Sequence, residues 1–112
     1  MNVSKELESK IQQLQLFEQN MQNFLVQKQN FQVQLMEIES ALEEIDKTET
    51  AYKIVGSIMV LSDKSELKKD LEQKKETVEL RIKSIEKQED KIKEKASALQ
   101  QEVIGEMNKH EH

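Results

Sequence analysis

The segment AYKIVGSIMVLS, residues 51–62, is the one stretch of this chain that resists a helical reading, and it narrows the folds open to everything around it. Ile54 and Val55 precede a Gly56-Ser57 pair, and Ile58, Met59 and Val60 follow it. A two-residue loop with Gly first suits a type II′ turn, whose twist matches two antiparallel strands. That turn sets Val55 opposite Ile58, Ile54 opposite Met59, Lys53 opposite Val60 and Tyr52 opposite Leu61. Side chains alternate along a strand, so one face carries Tyr52, Ile54, Met59 and Leu61, and the other Lys53, Val55, Ile58 and Val60. Both faces are apolar. A lone two-stranded hairpin is marginal in water, and no other segment reads as a strand to cover it. The missing strands are therefore expected from other chains, which makes the hairpin an assembly element.

On either side the apolar residues change period. From Leu14 they recur at alternating spacings of three and four through Phe17, Met21, Phe24, Phe31, Leu35, Ile38, Leu42 and Ile45, with Lys28 as the polar interruption. That is a coiled-coil seam, and Val3, Leu7 and Ile11 extend it toward the N-terminus with a slip of register. Leu16, Leu25, Val26, Val33 and Met36 fall off the seam in a Gln- and Asn-rich region. They either broaden the apolar stripe or offer a low-charge surface for apolar segments of another protein. After the hairpin, Asp63 followed by Glu66 reads as a capping box opening a second helix near Lys64. Its seam runs through Leu71, Val78, Ile82, Ile85, Ile92, Ala96, Leu99 and Val103, interrupted by Lys75 and Glu89. Gly105 marks the expected fraying point. The chain is thus mainly α: a first coiled-coil helix over 1–50, a β-hairpin over 51–62, a second helix over 63–105 and a frayed tail over 106–112. Arms of matched length joined by a tight hairpin can zip together as an antiparallel two-helix coiled coil.

Charge supports the fold-back. Glu37, Glu39, Glu43, Glu44, Asp46 and Glu49 crowd the end of the first arm, and Lys64, Lys68, Lys69, Lys74 and Lys75 the start of the second. The two clusters meet if the chain reverses at the hairpin. With 112 residues, 35% charged, 4% aromatic, two Gly and no Pro, the composition is that of long helices in one elongated domain. A net charge of −5 without a basic stripe and stacking aromatics disfavours nucleic acid. The longest apolar run is far shorter than the roughly 20 residues of a membrane span, and the N-terminus alternates apolar and charged residues, so a soluble cytoplasmic protein is expected. There is no cysteine, no Gly-rich phosphate loop and no carboxylate pair backed by a pocket; His110 and His112 lie in the terminal KHEH. The expected activity is binding, with no catalysis, cofactor or metal.

Helix, YKIVGSIMV, helix, followed by KKDLEQKKETVELRIKSIEKQEDKI, resembles the beta-type prefoldin subunits over nearly the whole chain. Alpha-type subunits carry two hairpins, and the link here has room for one. The resemblance implies a single prefoldin-like domain in a hexamer of two alpha-type and four beta-type subunits, whose hairpins form an intersubunit β-barrel. It further implies an ATP-independent holdase whose coiled-coil tips grip unfolded polypeptides and deliver them to a group II chaperonin. By position, Tyr52, Ile54, Val55 and Gly56 with Ile58, Met59, Val60 and Leu61 would build the barrel. Val3, Leu7, Ile11 and Leu14 from the first arm, with Leu99, Val103, Ile104 and Met107 from the second, would hold the client. The rival expectation is a structural coiled-coil scaffold or adaptor, a parallel dimer whose middle segment is a flexible kink.

Overall fold

The computed structural model describes residues 4–110 as two long helices joined by one hairpin: α1 Lys5–Lys47, β1 Ala51–Val55, β2 Ile58–Ser62 and α2 Lys64–His110. Each helix begins where a side chain can satisfy the amides that an α-helix leaves without partners. The Ser4 hydroxyl accepts a hydrogen bond from the Leu7 amide at 3.1 Å, and Glu6 and Glu8 place negative charge in the first turn. At α2 the Asp63 carboxylate accepts from the Ser65 amide at 2.9 Å, so the expected start at Lys64 holds. Helix α1 stops at Lys47, short of the expected residue 50. There the Thr48 amide and hydroxyl both donate to the Ile45 carbonyl, which turns the chain toward β1.

The expected fraying after Gly105 is corrected. Helix α2 passes through Gly105 and continues to His110; residues 111–112 of the expected tail lie outside the described residues. A glycine ends a helix by adopting positive φ, and only Gly56 does so here. On either side of Gly105 the helix is held by tertiary contacts: Val103 before it is buried and Glu106 after it pairs with Lys10 of α1. Those contacts offset the cost of about 1 kcal/mol that a helical glycine carries relative to alanine.

Contacts divide the chain into two compact units, residues 28–83 and residues 1–27 with 84–112. In the first, Lys68 reaches Asp46 at 2.9 Å and Lys75 reaches Glu39 at 3.8 Å. Seven residues back along α1 correspond to seven forward along α2, so the helices pair antiparallel and the acidic and basic clusters meet as the sequence implies. Ile45 and Val78 are buried from the seam, together with Ala51 at the start of β1. The Arg81 guanidinium lies 5.7 Å from the Phe31 ring centre, a cation–π contact across the pair. In the second unit, early α1 meets late α2, with Leu7, Ile85, Glu89 and Val103 buried. All of these seam residues lie at the heptad positions read from the sequence. No described side chain is fully buried, because each helix has only one neighbour.

Hydrogen bonding from Lys68, then its charge, with help from Lys64, holds the Asp46 carboxyl below its ordinary 3.8. A carboxyl lowered on folding contributes stability above its unfolded pKa and loses it as pH falls through the folded one. Asp46→Asn is therefore expected to lower the urea midpoint at neutral pH, and the gap from the parent closes as pH drops below 3.8. Urea titrations at several pH values read this directly. Gly105→Ala tests the helical glycine: a Cβ there meets nothing within 4 Å, so the change raises stability by about 0.5–1 kcal/mol.

Candidate functional site

The hairpin pairs in the register the turn dictates: Tyr52 with Leu61, Lys53 with Val60, Ile54 with Met59 and Val55 with Ile58, closed by Ala51 with Ser62. Gly56 has φ 62°, and no other described residue has positive φ. Positive φ at the first central position alone is the signature of a type II′ turn. A Cβ at Gly56 would touch nothing, so the glycine answers to backbone geometry alone.

What the hairpin does with its side chains matters more. Its large apolar residues are all exposed, from Val60 at 45% to Ile54 at 70%, on both faces at once. Among the described residues no third strand pairs with either edge. Only Ala51 is buried, fixing the base of the ribbon close to its helices. On the Tyr52, Ile54 and Met59 side a groove of about 600 Å³ opens toward Ala41, Ile45 and Leu71. An exposed apolar ribbon with two open edges is an unsatisfied interface, since both its greasy surface and its backbone groups gain from a partner strand.

A second apolar surface lies at the terminal end of the helix pair in the other unit. The eight residues that the resemblance assigned to client binding part ways there. Val3 lies outside the described residues. Leu7 and Val103 are buried at 4% and 7%, at the seam positions that the heptad spacing gives them. Leu14 and Leu99 are half-buried, whereas Ile11, Ile104 and Met107 are exposed at 37%, 47% and 51%. Phe17, Ala98 and Leu99 also line a shallow groove of about 250 Å³. Its signal in the sequence was a bulky Phe on one seam facing small Ala on the other helix. The off-seam residues Leu16, Leu25, Val26, Val33 and Met36 are exposed, as is Leu80, which heptad reasoning did not single out.

Charge at this end is organised around Lys10, a residue the sequence reading passed over. Its ammonium lies 2.5 Å from Glu106, 3.5 Å from Glu102 and 3.7 Å from Glu6. The hydrogen bond to Glu106 and the three carboxylates together hold it above the ordinary lysine range. Among the described residues no group of three or more His, Cys, Asp or Glu side chains could hold a metal, and no helix is long and apolar enough to cross a membrane.

Comparison with known proteins follows this geometry. The family profile described as prefoldin subunit matches residues 6–110. The prefoldin subunit beta of Archaeoglobus fulgidus is 41% identical over 58 residues, 52% of this chain and 50% of that protein. That of Methanococcus vannielii is 39% identical over 61 residues, 52% of this chain and 54% of its own length. The chain thus spans about half the length of the curated relatives it matches. Over the fold the likeness is longer: the crystal structure of the prefoldin beta subunit from Thermococcus strain KS-1 superposes with a TM-score of 0.85 at 32% identity, covering 91% of this chain and 92% of that one.

The turn yields a test of its own. Gly56→Ala forces an L-residue into left-handed backbone at a cost of about 1–2 kcal/mol. Hydrogen exchange at the hairpin amides is expected to accelerate while helix content by circular dichroism stays that of the parent.

Proposed function

Because the chain belongs to the prefoldin subunit family, we propose that it is a beta-type subunit of an ATP-independent chaperone that holds unfolded polypeptides and passes them to a group II chaperonin. The family is one of chaperones, and no enzymatic step is required of this chain. One observation carries the reading: a hairpin that is apolar and exposed on both faces while both of its edges stand open. Such a ribbon is completed by strands of other subunits. Tyr52, Ile54, Met59 and Leu61 serve one buried surface and Val55, Ile58 and Val60 the other. Two alpha-type and four beta-type subunits in the cytoplasm, joined in a β-barrel, are the assembly proposed.

Client capture falls to the exposed apolar residues at the terminal end of the helix pair, Ile11, Ile104 and Met107, with Leu14 and Leu99 beside them. Burial of apolar area is worth roughly 25 cal/mol per Å² and has no direction, so a few such side chains grip many sequences weakly. Methionine adds a pliable contact. Several arms on one platform convert weak grips into useful avidity and let the client leave stepwise.

Mixing the chain with an alpha-type subunit tests both halves. Light scattering is expected to give a mass near six chains, and the mixture to suppress aggregation of a denatured client without ATP. A mass fixed at two chains whatever is added would favour the scaffold reading instead. Ile54→Asp with Ile58→Asp is expected to abolish assembly with helix content intact. Ile11→Ser, Ile104→Ser and Met107→Ser together are expected to leave the assembly whole and cut client protection severalfold; undiminished protection by that variant would reject the assignment of the grip.

A further inference from the structure

We propose that Lys10 is a latch: its ion cluster holds the terminal end of the helix pair closed over Leu7 and Val103, and its release adds those two side chains to the client-binding surface. The second half of this inference rests on the client-binding reading; the first does not.

The cluster straddles the buried pair. Leu7 lies one turn before Lys10 on α1, and Val103 lies between Glu102 and Glu106 on α2. Lys10 joins the two helices through Glu102 at 3.5 Å and Glu106 at 2.5 Å, and holds Glu6 of its own helix at 3.7 Å. Its side chain is only 18% exposed, whereas the surface pair Lys47–Glu43 has a lysine at 64%. Among the described residues Leu7 is the most buried apolar one at 4%, and Val103 stands at 7%, yet both lie within a few residues of the described termini. Helix ends open most readily, so burial this deep at an end needs something to hold it.

The sign of the cluster makes it a switch as well as a brace. One cation faces three carboxylates. Remove the cation and Glu6 of α1 confronts Glu102 and Glu106 of α2 with nothing between, so the same contact that clamped the helices now pushes them apart. Opening uncovers Leu7 and Val103 next to Ile11, Ile104 and Met107, which are exposed already. Ionic strength is the natural trigger, since the partners Glu6 and Glu102 are 76% and 59% exposed and open to screening although Lys10 itself is not.

Lys10→Gln removes the charge and leaves a shorter, polar side chain. In the full chain, amide exchange over residues 5–11 and 100–107 is expected to run about threefold to fivefold faster than in the parent, with residues 64–83 unchanged. Lys10→Arg is expected to restore the parent rate, and Lys10→Met, which keeps an apolar stem without the charge, to run as fast as Lys10→Gln; a loss of packing alone would instead let Lys10→Met recover. Raising salt is expected to speed exchange in the parent by screening the ion pairs and to slow it in Lys10→Gln by screening the repulsion among Glu6, Glu102 and Glu106, so that the two rates converge. Equal exchange in parent and Lys10→Gln overturns the latch while leaving the client reading untouched. Capture of a denatured client by the assembled complex is read separately and is expected to rise for Lys10→Gln. Faster exchange without a rise in capture overturns the role given to Leu7 and Val103. A parent complex that captures nothing rejects the client reading itself, and the exchange rates still decide the latch.

Discussion

Two helices lying side by side can cover each other on one stripe only, and this limit governs the molecule. A helix in a larger core is flanked by several neighbours; here each has one, so even Leu7 and Ile85 retain a sliver of exposure and no described side chain is sealed off completely. The seam must then be strictly periodic, because a residue off the stripe has nowhere to hide. Leu16, Val26, Val33 and Met36 are exposed for that reason. Packing this thin puts more weight on caps, on ion pairs across the seam and on whatever the hairpin finds beyond the chain.

The hairpin is the point where the limit is felt most. The helices can supply a floor for its base, and they do so at Ala51, the only strand residue that is buried. They cannot cover a ribbon that is apolar on both sides. Most soluble proteins avoid such an edge by charging it or shortening it. This one carries a single charge among the paired positions facing Val60, at Lys53, and leaves the remainder greasy. Strands added from other chains would satisfy both the side chains and the backbone.

Much of this was legible in the sequence because the signals are local. Strand register follows from the Gly56-Ser57 turn, the start of α2 from Asp63, and the seam from spacing; each is fixed by residues a few positions apart. What escaped is what depends on residues distant in the chain. Gly105 reads locally as a stop, and it is overridden because Glu106 finds Lys10, 96 residues away. Leu7 and Val103 lie on the seams by spacing and are buried there, although the resemblance assigns them to client binding. Of the terminal apolar set, only the positions turned off the seam, Ile104 and Met107, and the marginal Ile11, remain available. Heptad position carried that distinction, since Val103 lies on the α2 seam while Ile104 and Met107 do not.

Charge, finally, decides which of the possible coiled coils forms. Apolar seams alone would permit two copies to pair in parallel through α1, since apolar residues recognise one another without direction. That arrangement would leave Glu39 and Asp46, which flank the α1 seam, without the lysines of α2. Folding back on α2 instead gives Asp46 to Lys68 and Glu39 to Lys75, and in the other unit gives Lys10 to Glu102 and Glu106. The pattern is acid on α1 and base on α2 near the hairpin, then base on α1 and acid on α2 near the termini. Each exposed pair is weak, and its larger effect is to single out the pairing in which acid meets base. The hairpin turn makes reversal possible, and the charges make it the arrangement the two seams adopt.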